Sequence, residues 1–149
     1  MKIFNRRYNR EYTKIEEFEA GIILSGAEVK SIKTGNLKID DAYVKILNGV
    51  PYLINADISP YKFAQPDVSY DSKRRRRLLL RKKELIRIIT RSKSQGLTLI
   101  PIVCYTKHNL VKLLIALSKG KKDWEKRRGE KARKIALRAK IEAKEYLKR

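Results

Sequence analysis

Acidic side chains are scarce in this chain: 16 aspartates and glutamates stand against 37 lysines and arginines, a formal charge of +21 at pH 7. Such a surface favours a polyanionic partner and opposes self-association, so a monomer that binds nucleic acid is expected. Cysteine is nearly absent. The single Cys104 excludes an internal disulfide, and inside the apolar run Ile102-Val103-Cys104-Tyr105 it reads as a small buried hydrophobe. With one histidine, His108, neither a Cys/His metal cluster nor a nucleophile with an obvious base can be assembled, and no cofactor is implied. No apolar run approaches the roughly 18 residues of a membrane span. The start, Met1-Lys2-Ile3-Phe4-Asn5-Arg6-Arg7, leads into polar sequence rather than an apolar signal core. A reducing cytoplasm is the expected location and no membrane partner is expected.

What charge there is divides the chain. Residues 1–118 hold 23 basic and 11 acidic side chains, whereas residues 119–149 hold 14 and 5. The sequence therefore predicts a body over 1–118 and a more densely basic tail over 119–149. The tail's apolar residues, among them Ile135, Ala136, Ala139, Ala143 and Tyr146, recur at helical spacing, but many are alanine. Such a segment buries too little to fold alone, so it is expected to be disordered or frayed until a partner orders it as a helix.

The body reads as mainly β. An apolar-rich strand is predicted from Tyr12 to Leu24. Ser25-Gly26-Ala27-Glu28 follows with the form of a capping box, opening a short helix that Gly35 closes. Alternation over Ala42-Tyr43-Val44-Lys45-Ile46, then Asn48-Gly49, then Tyr52-Leu53-Ile54 predicts a hairpin. Leu78, Leu79, Leu85, Ile86 and Ile89 suggest one face of a second helix, ended by Gln95-Gly96. A final strand pair, Leu97 to Tyr105 and Leu110 to Leu117, is expected to turn at Lys107-His108-Asn109, with Pro101 at an edge or bulge. Short strands with peripheral helices suggest an OB-like antiparallel β-barrel, a β-rich α+β fold.

One enzyme reading treats Glu28-Val29-Lys30 as the E-x-K of a metal-dependent nuclease, with Glu19 as a second acid. That motif normally sits on a strand, whereas Ser25 and Gly35 bracket a helix here. An RNA-binding reading has more to stand on. From Lys73 to Lys93 there are 11 basic residues and one acid, Glu84, and Arg74, Arg75, Arg76 and Arg77 are consecutive. Some of these arginines must fan outward, where guanidiniums can take phosphate oxygens in bidentate pairs.

The run from Glu19 to Ser31, E-A-G-x-x-L-x-G-x-E-V-K-S, resembles the bacterial tmRNA-binding family called small protein B. The similarity continues through Asp41-Ala42-Tyr43, Ile58-Ser59-Pro60-Tyr61, Leu78-Leu79-Leu80, Gly96-Leu97-Thr98-Leu99-Ile100-Pro101 and Lys119-Gly120-Lys121-Lys122. The resemblance implies an OB-like barrel with a flexible tail, and a binding rather than catalytic role. Its expected partners are the tRNA-like part of tmRNA, elongation factor Tu with GTP, and ribosomes stalled without a usable codon, whose empty mRNA path the tail would enter. RNA contact is implied for Asn5, Glu19 and Leu79. The basic Arg6, Arg7, Arg74, Arg76, Arg77, Lys119, Lys121 and Lys122 are expected to take phosphates.

Two stretches depart from the family pattern. Arg10 stands where a histidine is common, and the motif K-G-K-K-x-[YH]-D-K-R appears as Lys119 to Arg127 with Trp124 and Glu125 substituted. Arg10, Glu125, Lys126 and Arg127 are the expected ribosome contacts. After Arg128 the tail matches poorly. A constitutive ribosomal or initiation-type protein, equally small and basic, is the alternative, and a lipid-binding tail a weaker one.

Overall fold

A computed structural model describes residues 1–65 and 68–148; Arg149, the last residue of the tail, lies outside the described residues. In chain order the elements are β1 (Lys2–Phe4), α1 (Tyr8–Glu11), β2 (Tyr12–Ile22), α2 (Gly26–Lys33), β3 (Leu37–Lys38), β4 (Tyr43–Leu47) and β5 (Val50–Ile54). There follow β6 (Asp57–Ile58), β7 (Arg76–Leu79), α3 (Lys82–Gln95), β8 (Thr98–Lys107), β9 (Leu110–Gly120) and α4 (Asp123–Leu147). Every strand pairing is antiparallel, in the order β1-β8-β4-β5-β7-β2-β9. Because β9 also pairs along β8, the sheet returns on itself and β1 is left as an added edge. The result is the expected mainly β, barrel-like body with helices at its periphery, and a separate β3–β6 ribbon beside it.

Turn chemistry explains the hairpins. Asn48 and Gly49 adopt φ of 50° and 76°, the left-handed pair that a two-residue connection needs to match strand twist. His108 and Asn109, at 50° and 62°, make the same kind of turn between β8 and β9. Pro101 sits where the β8–β9 register shifts, so the missing N–H falls at a bulge as its sequence predicts. Ser25 caps α2 with the full reciprocal box to Glu28, and Gly96 ends α3 in the left-handed conformation. The core that these strands enclose includes Phe18, Ile32, Leu53, Leu78, Ile88, Leu113, Ile115 and Leu117, together with Cys104. Burial pushes the Cys104 thiol up to about 12, so it is an inert core residue.

Five expectations are corrected. β1 is an additional strand that sequence periodicity did not reveal, and β2 ends at Ile22 rather than Leu24. Leu78 and Leu79 lie on β7, not on a helix; the pattern buried-exposed-buried-exposed over Arg76, Arg77, Leu78 and Leu79 is the period of a strand. On α3 it is Ile88 that enters the core, while Ile86 is exposed. The last strand runs to Gly120, opposite Tyr12, so a body ending at 118 would cut through a paired strand. Apart from these five, the tail is a continuous helix from Asp123 to Leu147 without a single buried residue, and every described residue from Lys131 onward is exposed.

Candidate nucleic-acid interface

Strand register assembles one outward-facing surface from distant parts of the chain. Gly21 on β2 pairs with Leu79 on β7 and with Lys112 on β9; Lys112 pairs with Tyr105 on β8, and Tyr105 with Lys2 on β1. Directly opposed residues on neighbouring strands share a face. One row therefore crosses five strands as Leu79, Gly21, Lys112, Tyr105 and Lys2, and Glu19 stands next to it on β2. The inward neighbours Ala20, Leu78, Leu113 and Cys104 are buried in the core.

Glu19 and Leu79 share an open depression of about 430 Å³, together with Gly21, Arg81 and Lys112. Leu79 is 52 % exposed, although its apolar nature alone would put it in the core. Gly21 makes room for it: a Cβ there would stand 3.3 Å from the Leu79 Cβ. The glycine thus lets the leucine lie across β2 with its side chain available to a base face.

Glu19 is held rather than free. The Tyr105 hydroxyl donates a hydrogen bond to its carboxylate, and the Lys107 ammonium lies 3.9 Å away. The tyrosine hydrogen bond, with smaller contributions from Lys107 and Lys112, outweighs some desolvation and holds the Glu19 carboxyl below its usual range. Burial, followed by the Glu19 hydrogen bond and charge, pushes the Tyr105 phenol up to about 12. At neutral pH the pair is therefore a carboxylate and a neutral phenol, an acceptor and a donor side by side. Such a pair can read base N–H groups or 2′-hydroxyls while the lysines attract the phosphates. Tyr105, Lys107 and Lys112 were not among the sequence-predicted residues.

The arginine run is divided by strand alternation. Arg77 points outward two residues from Leu79 and makes no ion pair among the described residues. Arg75 lies over the Tyr52 ring at 5.2 Å. Arg74 is partly exposed and pairs with Glu28. Arg76 corrects the expectation that it contacts RNA: it is fully buried, and its guanidinium donates to Glu28, to the carbonyls of Ala56 and Arg74, and to that of Ser72. The same geometry removes Glu28 from any nuclease reading, because the carboxylate is 1 % exposed and saturated by Arg74, Arg76 and the Ser25 backbone N–H. Among the described residues no group of acids, histidines and cysteines could hold a metal.

At the N-terminal end Asn5 is also buried. Its amide donates to the Pro101 carbonyl at 2.9 Å and accepts the Arg7 backbone N–H at 3.1 Å. Asn5 thus seats the segment on the β8 bulge and leaves Arg6 and Arg7 exposed, the latter paired with Asp41. Arg10 reaches Glu130 on α4 at 2.5 Å, and the Lys121 ammonium donates to the Asn9 carbonyl at 2.8 Å. These contacts gather Arg10, Lys119, Lys121, Lys122, Glu125, Lys126 and Arg127 around the start of the tail, apart from the Glu19–Leu79 depression. Trp124 is 58 % exposed beside them.

Known proteins resemble this chain in sequence and in fold. A family model described as SmpB protein matches residues 2–145. An SsrA-binding protein of Aquifex aeolicus is 42 % identical over 146 residues, covering 96 % of this chain and 92 % of its own length. One from Nostoc punctiforme is 44 % identical over 129 residues, covering 87 % and 83 %. Among solved structures, a chain of "tmRNA-SmpB: a journey to the center of the bacterial ribosome" superposes with a TM-score of 0.67 at 36 % identity, over 82 % of this chain and 85 % of that one. A match across nearly the full length, carried by sequence and fold together, leads to one conclusion: the chain belongs to the SmpB family.

Proposed function

We propose that this protein binds the tRNA-like part of tmRNA and brings it to stalled ribosomes, acting in trans-translation as a positioning protein without chemistry of its own. The observation that carries this reading is family membership over residues 2–145, with SsrA-binding relatives at about 40 % identity. The outward face supplies a physical means. Leu79 offers an apolar contact for an unstacked base, Glu19 with Tyr105 offers hydrogen bonds, and Arg77, Lys107 and Lys112 offer charge. Arg6 and Arg7 extend the charge at the N-terminal end, with Asn5 orienting them. Elongation factor Tu with GTP is the expected carrier of the complex. The site of action is the ribosome-containing cytoplasm, and no described helix is long and apolar enough to cross a membrane. Helix α4 is the part suited to an empty mRNA path: its 25 residues span about 37 Å at about 1.5 Å per residue.

Glu19→Ala and Leu79→Ala test the reading, because they remove readout and leave the cationic surface intact. A hydrogen bond to a charged group contributes about 1.5–3 kcal/mol, so Glu19→Ala should weaken tmRNA binding about 10- to 150-fold. Leu79→Ala should cost about 5-fold. Binding to an unrelated RNA of equal length should change little for both. Equal losses on the two RNAs would mean that the depression is not a reader of tmRNA. Leu79 is half exposed, so its removal should leave the melting temperature nearly unchanged, which thermal denaturation checks.

A further inference from the structure

Phe4 is an exposed aromatic that the Glu19–Leu79 site leaves unexplained. It is 60 % exposed on the edge strand β1, and among the described residues it has no ring partner. Its neighbour Ile3 turns inward and packs on the core, so Phe4 faces outward with Lys2 and not by local disorder. Beside it lies a cleft of about 500 Å³, and the residues around the mouth include Lys2, Arg6 and Lys38. All three are exposed, and the one acid in the lining, Asp40, accepts the Arg6 backbone N–H at 2.8 Å. An exposed ring on a cleft lined by three cations, with the one acid of the lining engaged, is the composition of a single-stranded nucleic-acid platform.

Register connects this platform to the depression. Phe4 pairs with Val103, Val103 with Leu114, and Leu114 with Glu19. Three strand spacings of about 4.8 Å put Phe4 about 14 Å from Glu19 along one face. We propose that Phe4 is a second RNA-contact site, on which an unpaired base stacks while Lys2, Arg6 and Lys38 hold the flanking phosphates. The occupant is a strand of the same RNA that meets Glu19 and Leu79, so this inference rests on the tmRNA reading above.

Three variants of the full chain test it: Phe4→Ala, Phe4→Leu and Phe4→Trp, the last in a Trp124→Phe background so that position 4 carries the only indole. Stacking of a base on an aromatic side chain is lost in the first two. Affinity for tmRNA should then fall about 5- to 150-fold, with the slope of log affinity against log salt unchanged because no cation is removed. Phe4→Leu guards against a folding artefact, since it keeps the apolar bulk. Phe4→Trp should bind at least as well as the natural residue, and its fluorescence should be quenched on adding tmRNA. Normal binding by Phe4→Leu, or an indole that RNA does not quench, overturns the platform. If Glu19→Ala and Leu79→Ala still discriminate tmRNA in the same assay, the function stands and only the platform falls. If they discriminate nothing, the tmRNA reading fails first.

Discussion

Glu28→Gln is expected to destabilise the folded body by about 3–5 kcal/mol, the usual cost of leaving one partner of a buried ion pair behind. Against a total stability of about 5–15 kcal/mol for a domain, that is most of the margin at the low end of the range and about a fifth or more of it at the high end. The reason is Arg76, a fully buried guanidinium that needs a counter-charge beside it. Three of its hydrogen bonds go to carbonyls, and among the described residues only Glu28, at 2.5 Å, neutralises it. Burial opposes ionisation of Glu28, but the hydrogen bonds from Arg74, the Ser25 backbone and Arg76 outweigh it and hold the carboxyl below its usual range. The sign of the pH effect follows. A carboxyl depressed in the folded state contributes fully above its unfolded value, and that contribution is lost as pH falls through the folded one. Urea unfolding followed by circular dichroism should therefore show a steep acid limb for the natural protein and a shallower one for Glu28→Gln. A loss below about 1 kcal/mol at pH 7 would show that Arg76 is not neutralised by Glu28.

Removal of the tail should have the opposite profile: a stable, RNA-binding body without activity on ribosomes. Because β9 runs to Gly120 and the Lys121 backbone N–H donates to the Glu11 carbonyl, the cut belongs after Lys122 rather than after Ser118. Past that point α4 is tied to the body by Arg10–Glu130, and from Lys131 onward it contributes no burial. The truncated chain should melt within a few degrees of the full one and bind tmRNA more weakly, since basic side chains are lost. Tagging of stalled translation products should be abolished. A full-length variant with the same tail composition in scrambled order separates charge from shape. A tail acting through one helical face that includes Ile135, Ala139 and Tyr146 will not be replaced by the scramble. Normal tagging with the scrambled tail would reduce α4 to a basic tether.

Local chemistry made much of this fold legible in the sequence. Asn48-Gly49, the Ser25–Glu28 box, Pro101 and Gly96 each demand a particular backbone geometry, and each is where that demand placed it. The β7 segment failed for a physical reason: its inward residues are Arg76 and Leu78, so half of its buried face is cationic. The leucines that follow merge with the helical pattern of α3. Once Leu78 is known to point inward on a strand, alternation by two assigns Arg76 to the core and Arg77 to the surface. The sequence of four arginines cannot make that choice unaided. β1, at three residues, is too short to show a period. In the candidate site, Glu19, Gly21 and Leu79 were reachable through the family pattern. Tyr105 and Lys112 were not, because they meet Glu19 through strand register across nearly the whole chain.

The tmRNA reading is tested most directly by sequencing the RNA that remains on the full-length protein after isolation from its own cells in high salt. Charge-driven binding to bulk RNA weakens steeply with salt, whereas contacts that read bases persist. The expected result is a population dominated by tmRNA, which Glu19→Ala depletes. Recovery of ribosomal RNA in its cellular proportion, equally from the natural protein and from Glu19→Ala, would contradict the account and identify a constitutive ribosomal protein instead.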